Sequence, residues 1–123
     1  MRRIAMIAAA ALLAAGCGSD SNSPAVSQVT VTVRQGGVAL PGATVVECGV
    51  VDQALSPPAC TVSSTITSQE TNASGQATFN VPSSTTSGQL CFSVTVGSLG
   101  GYSHTDDCKT LNALTPTVTL ELL

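Results

Sequence analysis

Tryptophan is absent from this 123-residue chain, and Phe79, Phe92 and Tyr102 are its only aromatic side chains. A core without large rings has to be built from aliphatic residues, and a small domain of that kind often needs covalent staples. Charge is scarce as well, at 9% of residues. Of four basic residues, two (Arg2 and Arg3) stand at the very start. From residue 17 onward, Arg34 and Lys109 face seven acidic side chains, a net charge of −5. Such a surface does not attract nucleic acid or anionic lipid, so neither is expected as a partner on charge grounds. The chain also lacks an apolar run long enough to span a bilayer. Its longest, Ile4 to Ala15, has twelve residues, whereas a spanning helix takes about 20.

What is present begins with that run. Met1-Arg2-Arg3 is a short cationic start, and the twelve apolar residues after it have the length and flanks of a secretory signal peptide. The rival reading is a buried N-terminal helix. Ala14-Ala15-Gly16-Cys17 then resembles the lipobox of bacterial lipoproteins, with Ala14 where Leu is usual. The resemblance implies a diacylglycerol thioether on Cys17 and cleavage just before it. Residues 1–16 are thus expected to be a signal peptide. The protein would be held on the membrane by lipid, because two or more acyl chains give stable anchoring. Gly18, rather than Asp, after the cysteine favours the outer membrane in a host with two membranes. Residues 17–27 are expected to be the lipidated cysteine and a flexible tether, since GSDSNSPAV buries too little surface to order itself.

From residue 28 to the end the pattern is that of short strands. Val29, Val31 and Val33 alternate with threonines, and Gly36-Gly37 ends the strand. Pro41-Gly42 is placed as in a type II turn. A second strand runs over 43–48. A loop follows from 49 to 58, then a weaker strand marked by Val62, Ser64 and Ile66. After a turn at 72–75, Ala77, Phe79 and Val81 share one face of a fourth strand. Leu90, Phe92, Val94 and Val96 mark a fifth, and Val118, Leu120 and Leu122 the last. A long loop is expected from 97 to 114. No useful helical periodicity follows the leader. The expected fold is all-β, an antiparallel β-sandwich of six to seven strands over residues 28–123. An OB-like barrel is the alternative, though it usually contains a helix.

GVALPGATV (37–45) and NASGQATFNVP (72–82) resemble two related patterns. One is the carboxypeptidase regulatory-like domain, a transthyretin-like sandwich. The other is the bacterial Ig-like domain of invasin and intimin. The resemblance implies a sandwich used on surface proteins as a spacer, adhesive unit or accessory module. It implies no catalytic residues. Four cysteines and a long final loop depart from it.

Little in the chain suggests chemistry. His104 is the only histidine, in YSHTDD. Together with Asp106 and Asp107 it could offer ligands to a metal, but a structural site needs three or four. A hydrolase would also have to use His104, and no G-x-S-x-G turn is present. Gly100-Gly101 lacks the lysine of a phosphate loop. No metal, cofactor or catalytic residue is therefore expected. Asn72-Ala73-Ser74 is formally a glycosylation sequon and reads as a turn. Tyr102, His104, Asp106 and Asp107 in the 97–114 loop are the candidate contact residues for an envelope protein or glycan.

With Cys17 lipidated, Cys48, Cys60, Cys91 and Cys108 form an even set in an exported, oxidising setting. An antibody-type core bridge would join Cys48 to Cys91. Strand parity turns both cysteines outward, however, since Ala43 and Val45, like Leu90 and Phe92, claim the inner face. On opposing sheets, about 10 Å apart, two such residues could not be bridged. Local bridges 48–60 and 91–108 are expected instead.

Overall fold

The computed structural model describes residues 23–123. The leader, Cys17 and the first part of the expected tether lie outside the described residues. Ten strands follow: β1 (Gln28–Gln35), β2 (Val38–Ala39), β3 (Thr44–Cys48), β4 (Val51–Asp52), β5 (Ala59–Cys60), β6 (Thr65–Glu70), β7 (Gln76–Asn80), β8 (Gln89–Ser98), β9 (Gly101–Thr110) and β10 (Thr117–Leu122). Seven are longer than two residues. Single 3-10 turns occupy Val62–Ser64 and Leu111–Ala113.

The strands form a β-sandwich. In one sheet β1 is central, with β10 on one side and β7 and then β2 on the other. The second sheet has the order β6-β3-β8-β9. All pairings are antiparallel except β1 with β10, which run parallel. Alternation decides the core. Val29, Val31, Val33, Ala77, Phe79, Val118, Leu120 and Leu122 face Val45, Leu90, Phe92 and Val94. The two phenylalanine rings meet with centroids 5.2 Å apart, tilted by 52°, a favourable aromatic geometry.

Four expectations change here. The 97–114 segment is largely strand, since β9 pairs with β8 along its whole length. Residues 62–64 are a turn, and the third strand begins only at Thr65. The domain starts inside the expected tether: the Ala25 N–H donates to the Leu111 carbonyl at 3.0 Å, and Val26 packs against the core. Finally, Cys48 and Cys91 do share outward parity, but β3 and β8 are neighbours in one sheet and both residues are fully buried.

The parallel β1–β10 pair and the antiparallel hairpins give the sandwich two distinct ends. The chain enters at the end formed by Ala25, residues 82–88 and Leu111. The 36–37, 40–42 and 72–75 turns and the β8–β9 hairpin tip lie at the other. One buried side chain ties that far end together. The Thr71 hydroxyl donates to the Leu40 carbonyl at 2.6 Å and accepts from the Ala43 N–H at 2.9 Å. The Thr71 backbone bonds Ala43 and Gly42. Thr71→Val keeps the shape and orphans one buried and one partly buried backbone group, so it should cost about 2 kcal/mol. Urea denaturation checks this. A loss below about 0.5 kcal/mol would mean that water replaces the hydroxyl.

Candidate functional site

The most constructed surface lies on the outer face of the β6-β3-β8-β9 sheet. Outward positions of β8 read Cys91, Ser93 and Thr95, and their partners on β9 are Cys108, Asp106 and His104. On β3, Cys48 and Val46 pair with Cys91 and Ser93. An antiparallel pair projects directly opposed residues to the same face, so these side chains form rows across three strands. Residues 49–60 leave β3, make the small β4–β5 ladder and fold back as an arm over this face. That cover explains why β8 is buried on both sides from Leu90 to Val94.

Two disulfides hold this region. Cys48 is bonded to Cys60 across the arm, and Cys91 to Cys108 across the β8–β9 ladder. These are the expected bridges, but a distance between sheets is not what keeps Cys48 and Cys91 apart. Cys48 and Cys91 are register partners.

Beyond the cysteines runs a chain of polar contacts. Thr95 Oγ1 lies 2.7 Å from His104 Nδ1, and His104 Nε2 lies 2.8 Å from Asp106 Oδ2. The arm closes the chain, because Gln53 Nε2 donates to the same Asp106 oxygen at 3.0 Å. Ser56 of the arm approaches the Tyr102 hydroxyl at 3.5 Å. The His104 side chain keeps only 9% of its exposure. A hydroxyl, an imidazole and a carboxylate are thus aligned, and both ring nitrogens are occupied within the sheet.

No family model, curated protein or solved structure matches this chain.

The candidate contact residues are therefore dispersed. His104 and Asp106 are committed to each other. Asp107 stands opposite Phe92, on the other face of β9, and pairs with Lys109 at 3.4 Å. Tyr102 remains about half exposed at the hairpin. Just before it, Leu99 at the hairpin tip is fully exposed, and Leu123 and Val38 are exposed at the same far end. At the near end a groove of about 560 Å³ is bordered by hydroxyls of Thr61, Ser64, Thr85 and Ser87 and by Val50 and Ile66. No group of three or more His, Cys, Asp or Glu side chains that could hold a metal ion occurs among the described residues.

Sequence reasoning passed over Glu47. Its carboxylate is fully buried, and neither oxygen has a hydrogen-bond partner. Desolvation raises its pKa from 4.5 to about 7. The signal was available: Glu47 stands two residues after the inward Val45, so alternation carries it into the sandwich opposite Phe92.

Proposed function

We propose that this chain is a lipid-anchored cell-envelope protein that presents a disulfide-stapled β-sandwich as a non-catalytic binding, spacer or accessory module. The observation that carries the reading is where the chain enters the fold. The strand ends that receive Ala25 are opposite the hairpin tip, and Cys17 precedes Ala25 by eight residues. An extended chain gains at most ~3.6 Å per residue, so a lipid on Cys17 would keep the near end within about 30 Å of the membrane surface. The far end, with Leu99, Val38 and Tyr102 exposed, would then be turned toward the surroundings. Contact with an envelope protein or glycan is assigned to that end rather than to residues 103–110, which are occupied as part of β9. The two disulfides suit an exported setting, and the resemblance of 37–45 and 72–82 to surface modules points the same way.

A hydrolytic rival has one observation in its favour, the Thr95–His104–Asp106 alignment. In our reading that alignment fastens the arm to β9. His104→Ala would then loosen the arm and leave any esterase or amidase background unchanged.

The anchor is tested in a bacterial host by metabolic labelling with a fatty acid and by fractionation. Wild-type protein should carry label and sediment with membranes. Cys17→Ser should carry none, and should be either released or retained at the mass of the uncleaved chain. Wild-type protein that is exported, fully soluble and free in its Cys17 thiol would overturn the reading.

A further inference from the structure

Cys48, Cys91 and Cys108 stand in one row across β3, β8 and β9, each the register partner of the next. Neighbouring strands are about 4.8 Å apart. Cys60 reaches down from the arm onto Cys48. The two inner cysteines, Cys48 and Cys91, are fully buried. The outer ones are not, since Cys60 is half-buried and Cys108 is exposed. Each disulfide therefore joins a buried residue to one that reaches the surface. The two sheltered sulfurs belong to adjacent residues.

We infer that the four cysteines form a thiol–disulfide exchange relay, in which reduction by an external dithiol at the surface ends with the buried Cys48 and Cys91 joined to each other. A thiolate of the dithiol attacks Cys60 Sγ. The Cys48–Cys60 bond breaks, and Cys48 Sγ leaves as a thiolate. Burial disfavours that charge, and the nearest electrophile along the row is Cys91 Sγ. The Cys91–Cys108 bond points away from Cys48, toward β9, so Cys48, Cys91 and Cys108 stand in the order of nucleophile, electrophile and leaving group. Cys108 departs as a thiolate at the surface and takes a proton from solvent. The second thiol of the dithiol then releases Cys60 as a thiol and becomes oxidised to a disulfide. Two electrons and two protons pass from the dithiol to the protein. The product holds one disulfide, 48–91, and thiols at Cys60 and Cys108.

The consequence falls on the arm. With Cys60 released, residues 49–60 lose their covalent tie to the sheet. Gln53 on Asp106 and Ser56 near Tyr102 remain as polar contacts, both at exposed positions. Reduction by one electron pair thus frees the cover over Cys91 and Ser93 while the sheet beneath stays cross-linked.

The test uses the full chain. Free thiols are blocked with one alkylating reagent, the protein is partly reduced with dithiothreitol, and new thiols are trapped with an isotopically distinct reagent before peptide mapping without reduction. The species that has gained two thiols should carry its new labels at Cys60 and Cys108, with a Cys48–Cys91 linked peptide. Labels on Cys48 together with Cys60, or on Cys91 together with Cys108, would overturn the relay. Cys60→Ser gives a second reading without reductant: its unpaired thiol should be found at Cys108, with Cys48 bonded to Cys91. A thiol that stays at Cys48, with 91–108 intact, would overturn it equally.

Discussion

Glu47→Gln is expected to stabilise the protein above neutral pH by about 3 kcal/mol more than it does at pH 4. The carboxylate lies in the sandwich opposite Phe92, without a partner for either oxygen. Its pKa in the fold is about 7, against 4.5 for the unperturbed group. The protonated form is therefore the one the fold tolerates. Below pH 4.5 the group is neutral in both folded and unfolded chains, and it imposes no pH-dependent penalty. Between 4.5 and 7 the unfolded chain ionises while the folded one holds its proton, so stability falls as pH rises. Above 7 both forms are ionised and the loss levels off. A shift of this size corresponds to about 3 kcal/mol. Glutamine keeps the shape and has no charge to bury, so the difference between variant and wild type isolates this group from others that titrate nearby. Urea denaturation from pH 4 to 8 measures it directly. By melting temperature the gap at pH 8 should exceed that at pH 4 by roughly 10–25 °C. Parallel pH profiles for the two proteins would show that the side chain reaches solvent.

Gly75→Ala should cost about 2–5 kcal/mol, against about 1–2 kcal/mol for Gly42→Ala. Both glycines have positive φ, 76° and 75°, where a side chain costs roughly 1–2 kcal/mol. They differ in what a methyl group would meet. At Gly42 nothing lies within 4 Å. At Gly75 the new carbon would stand 2.9 Å from the Val33 carbonyl oxygen, 3.0 Å from the Leu40 nitrogen and 3.1 Å from the Ala39 Cβ. The first two are backbone atoms that bond each other, and Val33 N–H donates to the Gly75 carbonyl. This is the point where the free side of β1 passes from β7 to β2, so three segments converge on one residue. Crowding of that kind adds roughly 1–3 kcal/mol. Denaturation of the two variants side by side provides the check. Equal losses would mean that the 72–75 turn can move away from β1 at little cost.

Much of the sandwich was legible because its inner face obeys strict alternation. Val29, Val31 and Val33, then Ala77 and Phe79, then Leu90, Phe92 and Val94, then Val118, Leu120 and Leu122 are all buried as the period of two requires. The two strands that depart from the expected pattern are the outer strands of one sheet. β6, TITSQE, is exposed at every position, so its composition carries no contrast between faces. β9, GYSHTDDCKT, has polar residues on both faces, which in isolation is the composition of a loop. Each is a strand because its inner neighbour supplies a complete hydrogen-bonding edge. The polar side chains of β9 gain a reason only in place: His104 meets Thr95 and Asp106 meets Gln53, 53 residues away in the chain.

By itself the sequence determined the all-β class, the faces of the core strands and the turns at 36–37 and 72–75, because these depend on periodicity and backbone conformation within a few residues. It also supplied the lipobox-like Cys17 and the even set of four cysteines. Only the tertiary structure decided that β3 and β8 are neighbours, that the 49–60 arm covers the outer face, and that Cys48 and Cys91 stand side by side beneath it. Those facts depend on which strand edges pair over long separations and on what packs against a face. Parity gives the direction of a side chain along its own strand. It does not say whether water, a second sheet or a returning arm waits there, and that difference separates an exposed cysteine from a buried one.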